Sequence, residues 1–180
     1  MSWRKPYIQD VSLIDIYTKH IYKINTLNII LIVTTGRSMK LTSYTNYALR
    51  SLQLAAIKAP ALVRVDDVAK IHNLSRPHVV KIVHELGKAG FLETVRGRGG
   101  GFRLGRAADQ IIVGDVVRIT EGPLDLVECF NPDTNTCPLL GVCTLSRKIQ
   151  EATEAFMDVL DDLTIADIAA NKAQLLNRIA

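Results

Sequence analysis

The stretch "SRPHVVKIVHELGKAGFLETVRGRGGGFRLGR", residues 75–106, decides the fold. Its first half predicts a helix, because Ser75 suits the N-cap, Pro77 suits the first turn and Gly90 suits the stop. The second half predicts two short strands, about 91–96 and 101–104, around a glycine-rich turn, which is a β-hairpin pattern. The apolar face of the predicted helix consists of Val79, Ile82, Val83 and Leu86.

Two further helices are predicted before this stretch. Apolar residues recur at steps of three and four from Leu41 until Pro60, and "VDDVAKIH" (65–72) predicts a second helix followed by the turn "NLS". Helix, helix, tight turn, helix and basic hairpin is the order of a winged helix-turn-helix. We therefore expect a mainly α fold with a small β-hairpin wing over residues 39–122, with the helix-turn-helix at about 66–89 and the wing at about 91–105.

In such a fold the third helix enters the major groove of DNA by its N-terminal end. An arginine there can fork onto a guanine edge, and serine, histidine and lysine can reach phosphates. Two arginines at a glycine-rich wing tip suit a minor groove or a phosphate backbone. The predicted DNA-binding residues are Ser75, Arg76, Pro77, His78, Lys81, Arg96, Arg98, Gly99 and Gly100.

Charge is unevenly distributed along the 180-residue chain, whose formal net charge is +4. Residues 75–106 hold seven basic and two acidic residues, a net charge of +5, whereas residues 125–167 hold two basic and nine acidic residues, a net charge of −7. The contrast predicts a part that binds nucleic acid joined to a part with another role.

The three cysteines of the chain, Cys129, Cys137 and Cys143, all lie in the loop predicted at 123–143. Three clustered thiolates favour an iron–sulfur cluster or zinc. Structural zinc usually takes four ligands, often in C-x2-C pairs, and no such pair occurs here, so we place iron–sulfur ahead of zinc. The odd count argues against a disulfide framework and favours a reducing, cytoplasmic compartment. No apolar run is long enough to predict a membrane span.

The two ends of the chain have different patterns. Residues 144–180 predict a long amphipathic helix to about residue 163 and a short helix near 164–170. Residues 1–38 share no period with the rest, so we predict an N-terminal extension outside the natural fold, with Met39 as the natural start. The stripe on the long helix consists of Leu145, Ile149, Ala152, Phe156, Val159, Leu160 and Leu163.

Several motifs, in this order, resemble one family: "MKLTSYTNYALRSL", "SRPHVVKIVHEL", "ETVRGRGGGFRLGR", "VGDVVRITEG" and "CPLLGVCTL". The family is that of the winged-helix iron–sulfur transcription regulators, which includes NsrR, IscR and RirA, and the likeness is greatest to NsrR- and RirA-like repressors. The resemblance implies a homodimer on a palindromic operator of double-stranded DNA, with the long helix from Thr144 crossing its twin as the dimerisation helix.

The resemblance also implies a cofactor. Cys129, Cys137 and Cys143 match the family's three ligands of a [4Fe-4S] or [2Fe-2S] cluster. In NsrR-like members an aspartate from the first helix of the other subunit completes the set. The matching position here is Asn46, so the fourth ligand stays open, with Asn46 of the partner subunit as one candidate.

The leading functional hypothesis is a repressor that senses nitric oxide, iron or redox state through an iron–sulfur cluster. An iron–sulfur electron-transfer protein and a zinc-stabilised DNA-binding regulator are the alternatives. An enzyme is not expected, because the sequence offers no nucleophile–base pair or acid pair in a glycine-framed site, and its four histidines are scattered.

Overall fold

A computed structural model describes residues 40–179 of the chain; the extension predicted at 1–38 lies outside the described residues. The described part is mainly helical with one two-stranded antiparallel sheet, as predicted. No helix in this part is both long and apolar enough to cross a membrane. The elements are α1 (Ser43–Lys58), α2 (Val65–His72), α3 (Arg76–Lys88), β1 (Leu92–Val95), β2 (Gly101–Leu104), α4 (Val113–Glu121), α5 (Thr144–Asp161), α6 (Ile165–Ile168) and α7 (Lys172–Ile179), with short 3-10 helices at Ala108–Gln110 and Glu128–Phe130.

Helix α1 lies at the centre of the fold and packs against α3, α4, α6 and β2. Its N-cap is Thr42, whose hydroxyl accepts a hydrogen bond from the Thr45 backbone N–H at 3.3 Å. Small buried residues, among them Ala48, Ser51 and Ala55, let the neighbouring elements approach closely. The core therefore forms around α1.

The turn between α2 and α3 fixes the angle of the helix-turn-helix. Asn73 ends α2 in the left-handed region at φ 52°, which asparagine tolerates better than most residues. The next backbone N–H, that of Leu74, donates to the Ala69 carbonyl at 2.8 Å, which closes the helix end. Because this turn is short and hydrogen-bonded, the two helices hold a defined relative position.

Helix α3 buries the face that its periodicity predicts, which comprises Val79, Ile82, Val83 and Leu86. Ser75 occupies the N-cap position as predicted, but its side chain makes no capping hydrogen bond. Its exposed hydroxyl is therefore not used by the helix end.

The wing is a hairpin with one additional pairing that the sequence did not predict. Strands β1 and β2 pair in register from Leu92 opposite Leu104 to Val95 opposite Gly101. Val63, between α1 and α2, forms an antiparallel bridge to Phe102, with N–H to carbonyl distances of 2.9 and 2.8 Å. The Phe102 side chain is fully buried, so the bridge and this ring join the wing to the core.

Two wing glycines are required by close backbone approach. A Cβ on Gly101 would lie 2.4 Å from the Val63 carbonyl oxygen, and one on Gly100 would lie 2.3 Å from that of Val95. Gly97 and Gly99, at the tip, have φ values of +103° and +81°, which favour glycine. The glycines therefore shape the tip that carries Arg96 and Arg98.

The C-terminal helices differ from the predicted pattern in two ways. The stripe on α5 divides: Leu160, with Leu163 just beyond the helix, packs against the core, whereas Leu145, Phe156 and Val159 are exposed. Helix α7 was not predicted, since eight residues with two half-buried leucines give too little periodicity.

Replacing Gly101 by alanine should destabilise the fold by about 1–3 kcal/mol, because the new methyl group overlaps the Val63 carbonyl. Gly87→Ala is the matched control: Gly87 lies inside α3, where the nearest atom to an added Cβ is 3.8 Å away, and the change should add up to about 1 kcal/mol of helix stability. Urea unfolding measures both effects. Equal stability of the two variants would show that the Val63 bridge is not needed.

Candidate nucleic-acid interface and metal centre

The start of α3 presents the predicted DNA-binding residues to solvent. Ser75, Arg76, Pro77, His78 and Lys81 are all exposed. This is the arrangement expected of a helix whose N-terminal end contacts DNA.

Arg76 does not project freely. Its Nε donates a hydrogen bond to Oδ1 of Asp66, in the first turn of α2, at 2.9 Å. No pattern in the sequence indicates a role for Asp66, because the two residues are ten positions apart and only the helix-turn-helix brings them together.

Lys81 lies against an aromatic ring. Its Nζ is 5.9 Å from the centroid of Tyr44, on α1, within the range of a cation–π contact. Burial, and then the nearby Glu85 carboxylate, raise the pKa of Tyr44, so its hydroxyl stays protonated at neutral pH. The contact supports the Lys81 side chain on the exposed side of α3.

Val80, between His78 and Lys81 on α3, is an exposed apolar residue that is absent from the predicted DNA-binding set. An apolar side chain on a groove-facing helix can contact a thymine methyl group. The periodicity gave a signal for it, because Val80 falls outside the buried stripe.

The arginines of the wing fall into two groups, one paired with an acidic residue and the other exposed at the tip. Arg103 pairs with Glu93, directly opposite on β1, through hydrogen bonds of 2.9 and 3.1 Å, and these hold the pKa of Glu93 below its usual range. Arg96 and Arg98 are exposed at the tip and have no ion-pair partner within residues 40–179. Arg103 therefore stabilises the hairpin, and the two tip arginines are available for phosphates.

Two of the three cysteines meet at the start of α5. Cys143 is the N-cap residue, and its Sγ accepts a hydrogen bond from the Ser146 N–H at 3.4 Å. The Cys129 thiol lies 3.1 Å from the hydroxyl of the same serine. Ser146, which is not among the predicted site residues, thus contacts both sulfur atoms.

Cys137 lies on a separately hydrogen-bonded part of the loop. Its N–H donates to the Asn135 side chain at 2.9 Å. The neighbouring Thr136 donates to the Glu128 carboxylate through its N–H at 2.6 Å and its hydroxyl at 2.7 Å, and these bonds lower the pKa of Glu128. Glu128 therefore links the turn before Cys137 to the short helix that holds Cys129.

An open cavity of about 710 Å³ lies between α4, α5 and the loop. Cys129 and Cys143 line it, with Arg118 and Arg147, whereas Cys137 does not. Within residues 40–179, no three His, Cys, Asp or Glu side chains lie close enough together to hold a metal ion. All three thiols are free and half-buried, so the donor set fits a soft-metal centre chemically, and the third thiol has to approach the other two.

An ion pair joins the two helices that border this cavity. Arg118, on α4, donates to both carboxylate oxygens of Asp161, the last residue of α5, at 2.7 and 2.6 Å. These hydrogen bonds lower the pKa of Asp161. A Cβ on Gly114 would collide with the same carboxylate, so the glycine makes room for the pair.

A helix-turn-helix with an exposed basic helix start and a wing tipped by free arginines defines a winged-helix DNA-binding transcription regulator. Residues 41–171 match the Rrf2 family, described as "Iron-dependent Transcriptional regulator", and the chain belongs to this family. The family consists of regulators, which excludes an enzyme and favours a regulator over an electron carrier.

Individual relatives agree with this assignment. The HTH-type transcriptional regulator NsrR of Bacillus licheniformis is 46% identical over 135 residues, which cover 74% of this chain and 94% of the relative. The structure of CymR, the global cysteine regulator of B. subtilis, superposes with a TM-score of 0.61 at 27% identity, over 74% of this chain and 98% of that one. The structure of T. potens IscR gives a TM-score of 0.58 at 25% identity, over 76% and 92%.

Replacing Asp161 by asparagine should destabilise the protein in a pH-dependent way. Because the folded pKa of Asp161 lies below the unfolded value of about 3.9, its contribution is present above about pH 4 and is lost as the pH falls through the folded pKa. Urea unfolding between pH 2 and 7 should show the variant less stable at neutral pH, with a gap that closes in acid.

Asp162→Asn is the matched control, since Asp162 is exposed and forms no ion pair within the described residues. It should show little pH-dependent difference from the wild type. A gap for Asp161→Asn that persists at pH 2, or one equal to that of Asp162→Asn, would contradict the role of the ion pair.

Proposed function

We propose that this Rrf2-family regulator is a repressor that senses nitric oxide, iron or redox state through an iron–sulfur cluster bound by Cys129, Cys137 and Cys143. The observation that carries the proposal is that two of these thiols meet at Ser146, at the beginning of α5, in a cavity bordered by α4. A change in the ligation of these sulfur atoms would act directly on α5 and α4, which connect to the DNA-binding helices.

The local chemistry supports thiolate ligands. The N-terminus of an 18-residue helix favours negative charge, and the Ser146 N–H already points at the Cys143 sulfur. When bound, the cluster supplies a centre that reacts with oxidants and nitric oxide. Asn46 is exposed on α1 and is the candidate fourth ligand from the partner subunit; its amide is a weaker iron ligand than a carboxylate.

We propose that α5 forms a homodimer seam. None of its residues is buried, and Leu145 and Val159 remain 67% and 63% exposed. An exposed apolar row at alternating steps of four and three is the pattern of helices that pack on each other. The row consists of the exposed Leu145, Ala152, Phe156 and Val159 and the half-buried Ile149.

A continuous set of contacts supports communication between the cysteine loop and the DNA. Helix α5 begins directly after its N-cap, Cys143, and ends at Asp161, which pairs with Arg118 on α4. Helix α4 in turn contacts α1 through the Thr45 and Thr120 hydroxyls at 2.8 Å, and α1 packs against α3. Loss or nitrosylation of the cluster would shift α5 and thereby the spacing of the two α3 helices on a palindromic operator. The protein would act in the cytoplasm, where that DNA lies.

Arg98→Ala tests the wing. If Arg98 contacts a phosphate, its loss should weaken binding of double-stranded DNA and lower the slope of log K against log salt concentration by about one unit. Lys148→Ala removes an equal charge from the exposed surface of α5, away from the wing, and should leave the slope unchanged. Unchanged affinity of Arg98→Ala at every salt concentration would refute the proposed contact.

Replacing any one of the three cysteines by serine should abolish the visible absorbance and most of the bound iron of anaerobically purified protein. Because the thiols act as one ligand set, a double variant should look like a single one. Val142→Ser is the control: this neighbour is 80% exposed and has no thiol, so the variant should keep its colour. A colourless wild type with stoichiometric zinc would favour the zinc-stabilised regulator instead.

A further inference from the structure

The contact between Asp66 and Arg76 joins the two helices of the helix-turn-helix. The 2.9 Å hydrogen bond spans the helix-turn-helix, from the first turn of α2 to the first residue of α3. Both side chains are largely exposed, at 61% and 67%. An ion pair so open to water contributes little to folding, so stability does not account for the placement.

The geometry leaves the arginine partly used. A guanidinium carries five N–H donors, and this contact engages only the one on Nε. The two terminal NH2 groups have no acceptor within residues 40–179. With Nε held, the end of the fork is the part of Arg76 that remains free to bind an acceptor pair.

The position of Asp66 is set by the fold. The hydrogen bond from Leu74 to Ala69 and the left-handed Asn73 hold α2 and α3 at a defined angle, so the carboxylate reaches Arg76 from a rigid helix. An acid at the DNA-facing surface also repels phosphates, which reduces affinity for every sequence. Because Asp66 lowers the affinity for every DNA sequence, its position here is better explained by a role in selectivity than by a role in affinity.

We propose that Asp66 is a positioning residue that determines base specificity: it orients Arg76 so that the terminal nitrogens fork onto the O6 and N7 atoms of one guanine in each half-site. The inference rests on the proposed reading of DNA by α3 and assigns a role to a residue outside the set that contacts DNA. Asp66 would thereby increase discrimination between base pairs, because an Arg76 side chain that is ordered before binding loses less entropy when it contacts the guanine.

Asp67 provides a matched control. It carries the same charge in the same helical turn, but its nearest basic partner is Lys58, on α1, at 3.8 Å. Asp67→Asn therefore removes an equal charge from the same region and leaves Arg76 untouched. Asp66→Asn changes the side chain little in shape but replaces the charge-assisted hydrogen bond to Arg76 by a weaker one to a neutral amide.

The experiment uses the full chain and a duplex that the wild type selects from a random library. Each base pair of one half-site is then substituted, and dissociation constants are measured at one salt concentration for the wild type and for Asp66→Asn, Asp67→Asn and Arg76→Ala. In the wild type we expect one G·C pair whose replacement weakens binding about tenfold. Arg76→Ala should abolish this preference, and Asp67→Asn should retain it. Asp66→Asn should reduce the preference to about twofold and should weaken binding to the selected duplex less than Arg76→Ala does.

Each other outcome is decisive. Loss of the preference in Arg76→Ala but full retention in Asp66→Asn would overturn the role of Asp66 and leave DNA reading by Arg76 intact. An equal loss in Asp66→Asn and Asp67→Asn would assign the effect to charge alone and refute positioning. Retention of every preference in Arg76→Ala would refute base reading by Arg76, and with it this inference. Thermal unfolding of each variant separates these results from loss of the fold.

Discussion

The ion pair between Arg118 and Asp161 joins α4 to the C-terminal end of α5. Helix α5 buries none of its residues, so its attachment to the core depends on its C-terminal end. There the ion pair is joined by the partial packing of Met157 and Leu160 and by a 2.8 Å hydrogen bond from the Val113 N–H to the Leu163 carbonyl, just beyond the helix. Gly114 leaves space for the carboxylate against α4. The cysteine loop joins α5 at the opposite end. In the proposed mechanism a change in this loop therefore acts over the length of the helix, about 27 Å at 1.5 Å per residue, whose C-terminal end is held at α4.

Helix α1 connects α4 to the DNA-binding surface. This helix contacts other elements on most of its sides, and its small buried residues pack closely against α3 and α4. The Thr42 N–H donates to the Glu121 carboxylate at 2.6 Å, so the beginning of α1 is tied to the end of α4. A displacement of α4 is therefore expected to move α1 and α3 together rather than to be absorbed by loose packing.

Much of this fold follows from local signals. The buried face of α3 and the glycine-rich turn of the wing each depend on residues close in sequence, and the structure agrees with both. The bridge from Val63 to Phe102 and the contact of Asp66 with Arg76 depend on long-range geometry, for which one sequence has no periodic signal. The cysteine spacing predicts a donor set but not that two sulfurs meet at Ser146, because a loop without regular structure has no period from which positions can be deduced.

Coupling between the cysteine loop and the DNA-binding surface can be measured by an anaerobic gel shift on a duplex from the protein's own promoter. It compares cluster-loaded protein, cluster-free protein and loaded protein treated with nitric oxide, with Cys129→Ser as a variant unable to respond. We expect the loaded and cluster-free forms to differ in affinity by about tenfold or more, and nitric oxide to convert the affinity of the loaded form into that of the cluster-free form. Equal affinity of all three forms would contradict the coupling between the cysteine loop and the DNA-binding surface.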